Sequence, residues 1–381
     1  MINILFIHQS ADLYGSDKTL LLLLTHIDRK KINPVVIIPL DGPLKAELEK
    51  IGVEVHITPV LKLYRDIVKP NNSLKFVSEY KTAITFLDQL NKKHHFDIIY
   101  SNTLAVSLGM FYAKKRKIQH IWHVHEIIVH PKIIATIFPK LLKRYADVIV
   151  ANSETTLQNL IQREPEIKNK AVVIHNGIEP KNESYATLAK TDLGFDPGDL
   201  IITLIGRINR LKGHKLLLNA FIKNLSQQKK IKLLFVGSPV FGQENYLHEV
   251  EDIIRTNNLS ESVKILPFTK NLNPIWQITD IAVMPSTEAE SFGLVAVEAM
   301  LAQKPVIGSN HGGLTEIIVQ DETGLLVKPN CEDDLTRAIQ YLIDNPDKRS
   351  EMGIQGQKRA IAAFSINSYI QNFENLFERL K

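Results

Sequence analysis

Short apolar runs rich in β-branched residues recur along the chain, with helix-length segments between them. The runs are INILFI, PVVIIP, VEVHIT, DIIYSN, HIWHVH, DVIVANS and AVVIHNG, followed by DLIITLIGR, IKLLFVGS, VKILPF, IAVMPS, PVIGSN and GLLVKP. Apolar strands that alternate with helices are typical of a parallel sheet covered by helices on both faces. The pattern therefore predicts an α/β fold.

This alternating pattern begins twice. INILFI leads through a loop containing Gly15 into an apolar helical segment, and LIITLIGR leads in the same way through a loop containing Gly213. A chain of 381 residues is also longer than a single core usually supports. We predict two doubly wound domains, residues 1–185 and 196–360, joined by a polar linker. Residues 361–381 carry apolar side chains near helical spacing, which predicts an amphipathic C-terminal helix.

The composition and the N-terminus limit where such a chain can work. The single cysteine, Cys331, excludes an internal disulfide and favours a reducing compartment. MINILFIHQS is typical of a strand rather than of a secretion signal. No apolar run near it approaches the roughly 20 residues needed to cross a bilayer. We therefore expect a cytoplasmic protein.

Several familiar site motifs are absent from the sequence. No two glycines are separated by one residue, so the G-x-G-x-x-G dinucleotide fingerprint cannot occur, and G-x-x-x-x-G-K-[ST] is missing as well. No two aspartates are separated by one residue, which removes the D-x-D pattern that holds a metal and a nucleotide-sugar. These absences disfavour a nicotinamide-dependent dehydrogenase and a metal-bridged diphosphate.

Four histidines, His120, His123, His125 and His130, lie within one short stretch. Clustered imidazoles can form metal sites, but alternate residues of a strand point to opposite faces, so His120 faces away from His123 and His125. We favour a second interpretation, in which His125 ends its strand and faces a ligand. We predict no metal ligands in this chain.

Residues 285–328 contain the most informative segment. A strand leads through an acidic loop to Gly293 and then to the short apolar helix LVAVEAMLA, whose N-terminus offers unpaired N–H groups to an anion. Within that helix Glu298 is costly to bury unless something hydrogen-bonds it, which sugar hydroxyls would do; the alternative is an exposed helix face. Glu290 precedes the helix, where it either meets the same ligand or is solvated.

Two basic residues follow the first strand of the second series, in GRINRLKG. Arg207 and Lys212 therefore lie where ligands of doubly wound sheets bind, beyond the carboxyl end of a strand. Opposite an anion-binding helix, they are interpreted as a clamp for a diphosphate.

Together these residues resemble the GT-B glycosyltransferases of the retaining, glycogen-synthase-like family 4. The signature E-x7-E is present from Glu290 to Glu298, followed by KPVIGSNHGGLTEII and TGLLVKP, and GRINRLKG, HNG, His125 with Glu126, and YGSDKTL also match. The resemblance implies two Rossmann-like domains facing across a cleft, with the C-terminal helix crossing back to the first domain. One departure is YGSD, where the family usually has two glycines, a small residue and Glu.

The resemblance also implies a role for each matching residue. Glu298 would bind the ribose of a nucleotide-sugar, and Glu290 the transferred sugar. Arg207 and Lys212 would neutralise the leaving diphosphate in place of a metal, and His125 would lie beside the reacting carbon. The remaining donor-binding positions are the backbone of Phe292, Gly293, Leu294 and Val295, the loop of Gly15 and Ser16, and Asn176.

The implied function is a retaining, metal-independent glycosyltransferase without a cofactor, which moves a sugar from a nucleoside-diphosphate sugar to an acceptor hydroxyl in bacterial cell-surface polysaccharide or glycolipid synthesis. One alternative is a GT-B nucleotide-sugar epimerase or hydrolase, which needs no acceptor. A second alternative is a basic nucleic-acid-binding protein. The sequence disfavours that alternative because the basic stretch lacks a recognised motif, so we predict no nucleic-acid partner.

The formal net charge of +5 is unevenly divided along the chain. Residues 1–190 carry an excess of lysine and arginine, and residues 191–381 a slight excess of aspartate and glutamate. The basic segment 110–145 contains a single acidic residue, Glu126. It is interpreted either as a face that binds the inner surface of an anionic membrane, near a glycan or lipid-linked acceptor, or as an ordinary packed helix.

Overall fold

The structure is a computed structural model that describes residues 1–62, 70–179, 187–239 and 242–381. The chain forms two units. The first unit contains Met1–Gly177 and Ile366–Lys381, and the second unit contains Ile178–Ser365.

The first unit is built on a seven-stranded parallel sheet with the order β3-β2-β1-β4-β5-β6-β7. Its strands are β1 (Ile2–His8), β2 (Ile32–Ile38), β3 (Glu54–Ile57), β4 (Ile98–Asn102), β5 (Gln119–Val124), β6 (Val148–Ala151) and β7 (Ala171–Val173). Its helices are α1 (Gly15–His26), α2 (Pro43–Lys50), α3 (Pro70–His94), α4 (Leu108–Arg116), α5 (Lys132–Tyr145), α6 (Glu154–Ile161) and α14 (Ile366–Leu380).

The second unit is built on a six-stranded parallel sheet with the order β10-β9-β8-β11-β12-β13. Its strands are β8 (Leu200–Ile205), β9 (Ile231–Val236), β10 (Val263–Leu266), β11 (Ile281–Met284), β12 (Val306–Ser309) and β13 (Gly324–Val327). Its helices are α7 (His214–Asn224), α8 (Asn245–Thr256), α9 (Asn273–Ile278), α10 (Leu294–Leu301), α11 (Leu314–Ile317), α12 (Glu332–Asp344) and α13 (Pro346–Ala363). The two predicted strand series and the doubly wound α/β architecture are confirmed.

In each sheet the strand order reverses beside the first strand. Residues Ile4–His8 of β1 pair with Ile98–Asn102 of β4, and β8 pairs with β11. Connections on the two sides of such a point run in opposite directions and leave a crevice beyond the carboxyl ends of the strands. The loops after β1, β4, β8 and β11 are therefore the places to look for a site.

The unit boundary differs from the predicted domain boundary. The second unit begins at Ile178, and the described part of the predicted linker packs on it: Phe195 is buried in its core, and Lys190 Nζ donates to Asp280 Oδ2 at 3.2 Å. At the other end, α13 extends through Ala363, and only the residues from Ile366 belong to the first unit. Hydrophobic burial of Phe195 explains the first difference, because a single aromatic side chain anchors an otherwise polar segment.

The C-terminal helix α14 completes the core of the first unit. It buries Tyr369, Ile370, Phe373, Leu376 and Phe377, the spacing of one helical face. The ring of Phe373 lies 6.0 Å from that of Tyr100 in β4. The helix is so close to the chain after β7 that a Cβ on Gly177 would lie 2.5 Å from the Cβ of Tyr369.

The described helices include none that is long and apolar enough to span a membrane.

The packing of α14 generates a stability prediction. Phe373→Ala removes a fully buried ring and should lower the free energy of unfolding of the first unit by about 3–5 kcal/mol. Phe268→Ala is the matched control, because this ring is 40% exposed and its loss should cost at most about 1 kcal/mol. Urea denaturation followed by circular dichroism measures both; equal midpoints for the two variants would contradict the assigned core.

Candidate functional site

In the second unit, the loop after β8 carries the predicted cations. It contains Arg207, which is exposed, and a single 3-10 turn, Arg210–Lys212, whose Lys212 N–H donates to the side chain of Asn209 at 3.2 Å. The next residue, Gly213, has φ +77°, and a Cβ there would lie 2.0 Å from the carbonyl oxygen of Pro285. Only glycine allows this approach, which brings Lys212 against the loop after β11.

Lys212 forms a partly buried ion pair with Glu290. Its Nζ lies 2.8 Å from Glu290 Oε2, and Ser286 Oγ donates to Glu290 Oε1. Burial by itself raises the pKa of the Glu290 carboxyl, but the charge and hydrogen bond of Lys212, together with Ser286, outweigh it and hold the pKa below its usual value. Glu290 is therefore an ionised acceptor at neutral pH.

Two glycines after β12 hold the loop that carries Glu290. Gly313 N–H donates to the carbonyl oxygen of Glu290 at 2.7 Å, and a Cβ on Gly312, where φ is +66°, would lie 2.4 Å from that oxygen. His311 Nε2 lies 3.0 Å from the carbonyl oxygen of Ser286, which makes this nitrogen the donor. The backbone of the loop is thus fixed by residues that follow the neighbouring strand.

Helix α10 begins directly after this loop. Its N-cap is Gly293, with φ +118° and no side-chain cap hydrogen bond. Phe292 is buried and its ring packs edge-on against Phe364 at 5.5 Å, so the ring belongs to the core of the second unit. Leu294, Val295 and Glu298 are half-buried on one face of α10, whereas Ala296, Val297, Ala299 and Met300 are buried. The exposure of Glu298 is therefore intermediate between the buried and the exposed positions that the sequence allowed.

These side chains line one small pocket within the second unit, which includes Lys212, Ser286, Glu290, Gly293 and Val295. The structure therefore brings Lys212 and Glu290 together at the N-terminus of α10, with Glu298 one turn further along the helix. Arg207 follows β8 on the same loop as Lys212, but the ion pair with Glu290 is made by Lys212 alone of the two cations.

In the first unit, a chain of hydrogen bonds joins the loops after β1, β4 and β5. His8 Nε2 lies 2.6 Å from Asp17 Oδ1, His8 Nδ1 lies 2.9 Å from Asn102 Nδ2, and Asn102 Oδ1 lies 2.7 Å from His125 Nε2. Asn102 Nδ2 also lies 3.4 Å from the carbonyl oxygen of Ser16. The predicted residues His125 and Ser16 thus belong to one network at the carboxyl edge of the sheet, and Gly15 is the first residue of α1, next to Ser16.

The groups at the two ends of this chain have shifted pKa values. Burial opposes ionisation of Asp17, but hydrogen bonds from His8, Ser10 and the Tyr14 backbone outweigh it and lower the pKa of Asp17. Burial lowers the pKa of His125 to about 3. His125 is therefore neutral in the physiological range and carries one ring proton.

Asp17 explains the departure from the family loop. It is the third residue of α1 and its Oδ2 accepts from Tyr14 N–H at 2.9 Å. Its other oxygen is directed at His8. The shorter acid is therefore a buried partner of the network rather than a solvated loop residue.

The other histidines have separate partners. His120 lies between Ser101 Oγ and the carbonyl oxygen of Tyr145, both at 2.9 Å, and His123 Nδ1 lies 2.6 Å from Tyr100 Oη. In the described ranges no group of three or more His, Cys, Asp or Glu side chains has a geometry that could hold a metal ion.

Asn176 lies after β7, next to Gly177, and is buried. Within the described residues its Oδ1 has no hydrogen-bond partner. The residues that sequence reasoning did not place in a site are His8, Ser10, Asn102, Ser286 and His311. Each is a polar residue that ends an apolar strand or follows it closely, a signal that could have identified them.

Glu126 is a further, half-buried residue beside His125. Its Oε2 accepts from the N–H groups of Leu104 and His125, each at 3.1 Å. Burial raises the pKa of Glu126 to about 7, against the effect of these hydrogen bonds. Glu126 therefore fixes the backbone just after β4, at Leu104, and just after β5, at His125.

Comparison with known proteins identifies two family matches and several relatives. A family described as Glycosyltransferase Family 4 matches residues 15–182, and one described as Glycosyl transferases group 1 matches residues 187–359. The chain is 29% identical over 216 residues to a D-inositol 3-phosphate glycosyltransferase of Gordonia bronchialis, which covers 55% of this chain and 47% of the relative. It is 26% identical over 340 residues to a trehalose synthase of Pyrococcus horikoshii, covering 84% and 79%.

The chain spans about half the length of the inositol phosphate glycosyltransferase that it matches. Among solved structures, HepE of Anabaena in complex with UDP-glucose is 23% identical, with all of both chains covered and a TM-score of 0.84. At that identity the likeness shows the fold, which is GT-B. The two family matches together with this fold confirm the resemblance: the chain belongs to the family 4 glycosyltransferases of the GT-B fold.

Proposed function

We propose that this chain transfers a glycosyl group from a nucleoside-diphosphate sugar to an acceptor hydroxyl, with retention at the anomeric carbon and without a metal ion. The observation that carries the proposal is the Lys212–Glu290 ion pair, 2.8 Å long, beside the N-terminus of α10. It combines a cation, an ionised acceptor and free helix N–H groups in one pocket.

The anionic part of the ligand fits the N-terminus of α10. The first N–H groups of a helix have no acceptor within the helix and carry partial positive charge. The N-cap, Gly293, makes no side-chain hydrogen bond to these groups, so a diphosphate can bind them. Lys212 supplies a full positive charge in the same pocket, and we assign Arg207 to the same clamp.

The sugar and ribose fit the two carboxylates. An ionised carboxylate accepts hydrogen bonds and donates none, so Glu290 suits the hydroxyl groups of the transferred sugar. Its Oε1 is already oriented by Ser286, which reduces the freedom lost when a hydroxyl binds. Glu298, on the half-buried face of α10 with Leu294 and Val295, suits the paired hydroxyls of the ribose.

In the proposed reaction, the bond between the anomeric carbon and the diphosphate oxygen breaks, and its electron pair leaves with the diphosphate. The acceptor oxygen attacks from the face that the diphosphate leaves and forms the new bond, while its proton passes to a diphosphate oxygen. Lys212, Arg207 and the α10 N–H groups stabilise the growing charge, which is usually the largest catalytic term. The relative HepE was crystallised with UDP-glucose, which supports a nucleotide-sugar as donor.

For the first unit we propose the acceptor side of the reaction. His125 is assigned beside the reacting carbon, whereas the loop of Gly15 and Ser16 and the buried Asn176 are assigned to the nucleotide-sugar donor, as the family resemblance implies. The cationic segment 110–145 suggests an acceptor at an anionic lipid surface, as in bacterial cell-surface polysaccharide or glycolipid synthesis, with the enzyme at the inner face of the cell membrane.

The face that suits such a surface is the outer side of α5. Ile133 and Ile137 are 71% and 45% exposed, and Lys140 and Arg144 are exposed on the same side of the helix. Apolar side chains with cations beside them bind the boundary between headgroups and acyl chains.

The clamp generates the main activity prediction. Lys212→Ala and Glu298→Ala should each lower kcat/KM by about two to three orders of magnitude, corresponding to about 3–4 kcal/mol of lost transition-state stabilisation. Thermal unfolding should change little. Lys223→Ala is the matched control, because Lys223 of α7 forms an exposed ion pair with Asp333 of α12. Wild-type rates in Lys212→Ala or Glu298→Ala, measured by release of nucleoside diphosphate, would refute the assignment.

The reaction type has its own test. A panel of nucleoside-diphosphate sugars is first screened for thermal stabilisation, and turnover is then measured with and without an acceptor and with EDTA. We expect consumption of the donor to require the acceptor, to persist in EDTA, and to give a product with the donor's anomeric configuration. Rapid consumption of the donor alone would favour the epimerase or hydrolase alternative.

Membrane binding is tested with the α5 face. The double variant Ile133→Asn, Ile137→Asn should co-sediment at least about threefold less with vesicles that contain anionic lipid. Ile361→Asn is the control, since this side chain is 53% exposed on α13 of the second unit. Binding that is equal with neutral and anionic vesicles would contradict the proposed electrostatic contribution.

A further inference from the structure

In the buried network of Asp17, His8, Asn102 and His125, each hydrogen bond has a fixed donor and a fixed acceptor. All four side chains are at most 9% exposed, so water does not compete for their hydrogen bonds. Each step is 2.6–2.9 Å long. We call these four side chains the relay.

The direction begins at Asp17. As a carboxylate it only accepts, so His8 Nε2 must carry a proton to bond Oδ1. His8 Nδ1 lies 2.9 Å from Asn102 Nδ2, an amide nitrogen that only donates, so Nδ1 accepts this hydrogen bond and carries no proton. The amide of Asn102 therefore presents its NH2 group to His8 and its oxygen to His125.

The last hydrogen bond of the relay fixes the position of the ring proton of His125. Because Asn102 Oδ1 accepts at 2.7 Å, the single ring proton of His125 lies on Nε2. Among the described residues nothing bonds the other ring nitrogen, Nδ1, so its lone pair is available to a ligand.

We propose that Asp17 is a positioning residue that acts through His8 and Asn102 to hold His125 as the Nε2–H tautomer, which offers Nδ1 to a ligand hydroxyl as a hydrogen-bond acceptor. The proposal deepens the proposed function and rests on it for the ligand, a sugar-bearing substrate. The tautomer itself is a property of the free protein.

Asp17→Asn should invert this tautomer. The N–H of Tyr14 donates to Asp17 Oδ2 at 2.9 Å, so in the variant the amide oxygen takes that place and the NH2 group faces His8. His8 Nε2 must then accept, its proton moves to Nδ1, and the Asn102 amide turns over. Its NH2 group would then donate to His125 Nε2, which leaves the proton of His125 on Nδ1.

The direct measurement is nitrogen NMR of the full chain labelled with 15N-histidine, in which protonated and unprotonated ring nitrogens have distinct shifts. The His125 signal is assigned by its loss in His125→Gln. We expect Nε2–H in the wild type and Nδ1–H in Asp17→Asn. Asp12→Asn is the matched control, because Asp12 is exposed in the loop between β1 and α1, and it should leave the tautomer unchanged. An unchanged tautomer in Asp17→Asn would overturn the proposal.

A second variant tests the route. Asn102→Ala removes the amide that connects His8 to His125 and should give a mixture of His125 tautomers, which no longer responds when Asp17→Asn is added. A tautomer that still inverts in the double variant would overturn the relay. If Asp17→Asn folds poorly, the single variant Asn102→Ala still tests the route, because it keeps the hydrogen bonds of Asp17 with Tyr14 and Ser10. A pure Nε2–H form of His125 in Asn102→Ala would then overturn the relay.

Activity separates the relay from the proposed function. If the chain is a glycosyltransferase, Asp17→Asn should lower kcat by about tenfold, the effect of one misdirected hydrogen bond, with the KM for the donor little changed. The NMR result does not depend on transfer. If the tautomer inverts in Asp17→Asn but the wild type has no transfer activity, the relay is supported and the proposed function is refuted. If the wild type has transfer activity but the tautomer does not invert, the proposed function is supported and the relay is refuted.

Discussion

The parallel arrangement of strands, with one reversal of order in each sheet, is the constraint on which the rest of the structure depends. Because all strands of a sheet end at the same edge, the residues that follow β8 and β11 meet although Lys212 and Glu290 are 78 positions apart. The same geometry brings His8, Asn102 and His125 together after β1, β4 and β5. Each cluster lies at the edge where doubly wound sheets bind ligands.

Each cluster contains a carboxylate that is shielded from water. Burial raises the cost of the charged form, and the two units offset that cost differently. In the second unit Lys212 pairs with Glu290 by full charge. In the first unit Asp17 is held by hydrogen bonds from His8, Ser10 and the Tyr14 backbone. In a charge pair, a bound phosphate can replace the carboxylate as the partner of the cation. In a hydrogen-bonded network, the position of one proton determines the position of the next.

Glycines make the close approaches in the second unit possible. Gly213 allows the loop after β8 to contact Pro285, and Gly312 allows the loop that carries Glu290 to lie against the residues after β12. A side chain at either position would separate the cation from the carboxylate. The site therefore depends as much on residues without side chains as on those whose groups bind a ligand.

The sequence by itself determined the strand series, the α/β class and the cluster around Glu290, because hydrophobic periodicity and the run from Glu290 to Glu298 are local patterns. It placed the boundaries less well: Phe195, within a polar segment, is buried in the second unit, and burial depends on neighbours distant in the sequence. Only the tertiary structure joined Asp17, His8, Asn102 and His125. These residues come from the ends of β1 and β4, from α1 and from the loop after β5, and the direction of their hydrogen bonds follows from which atoms meet in space.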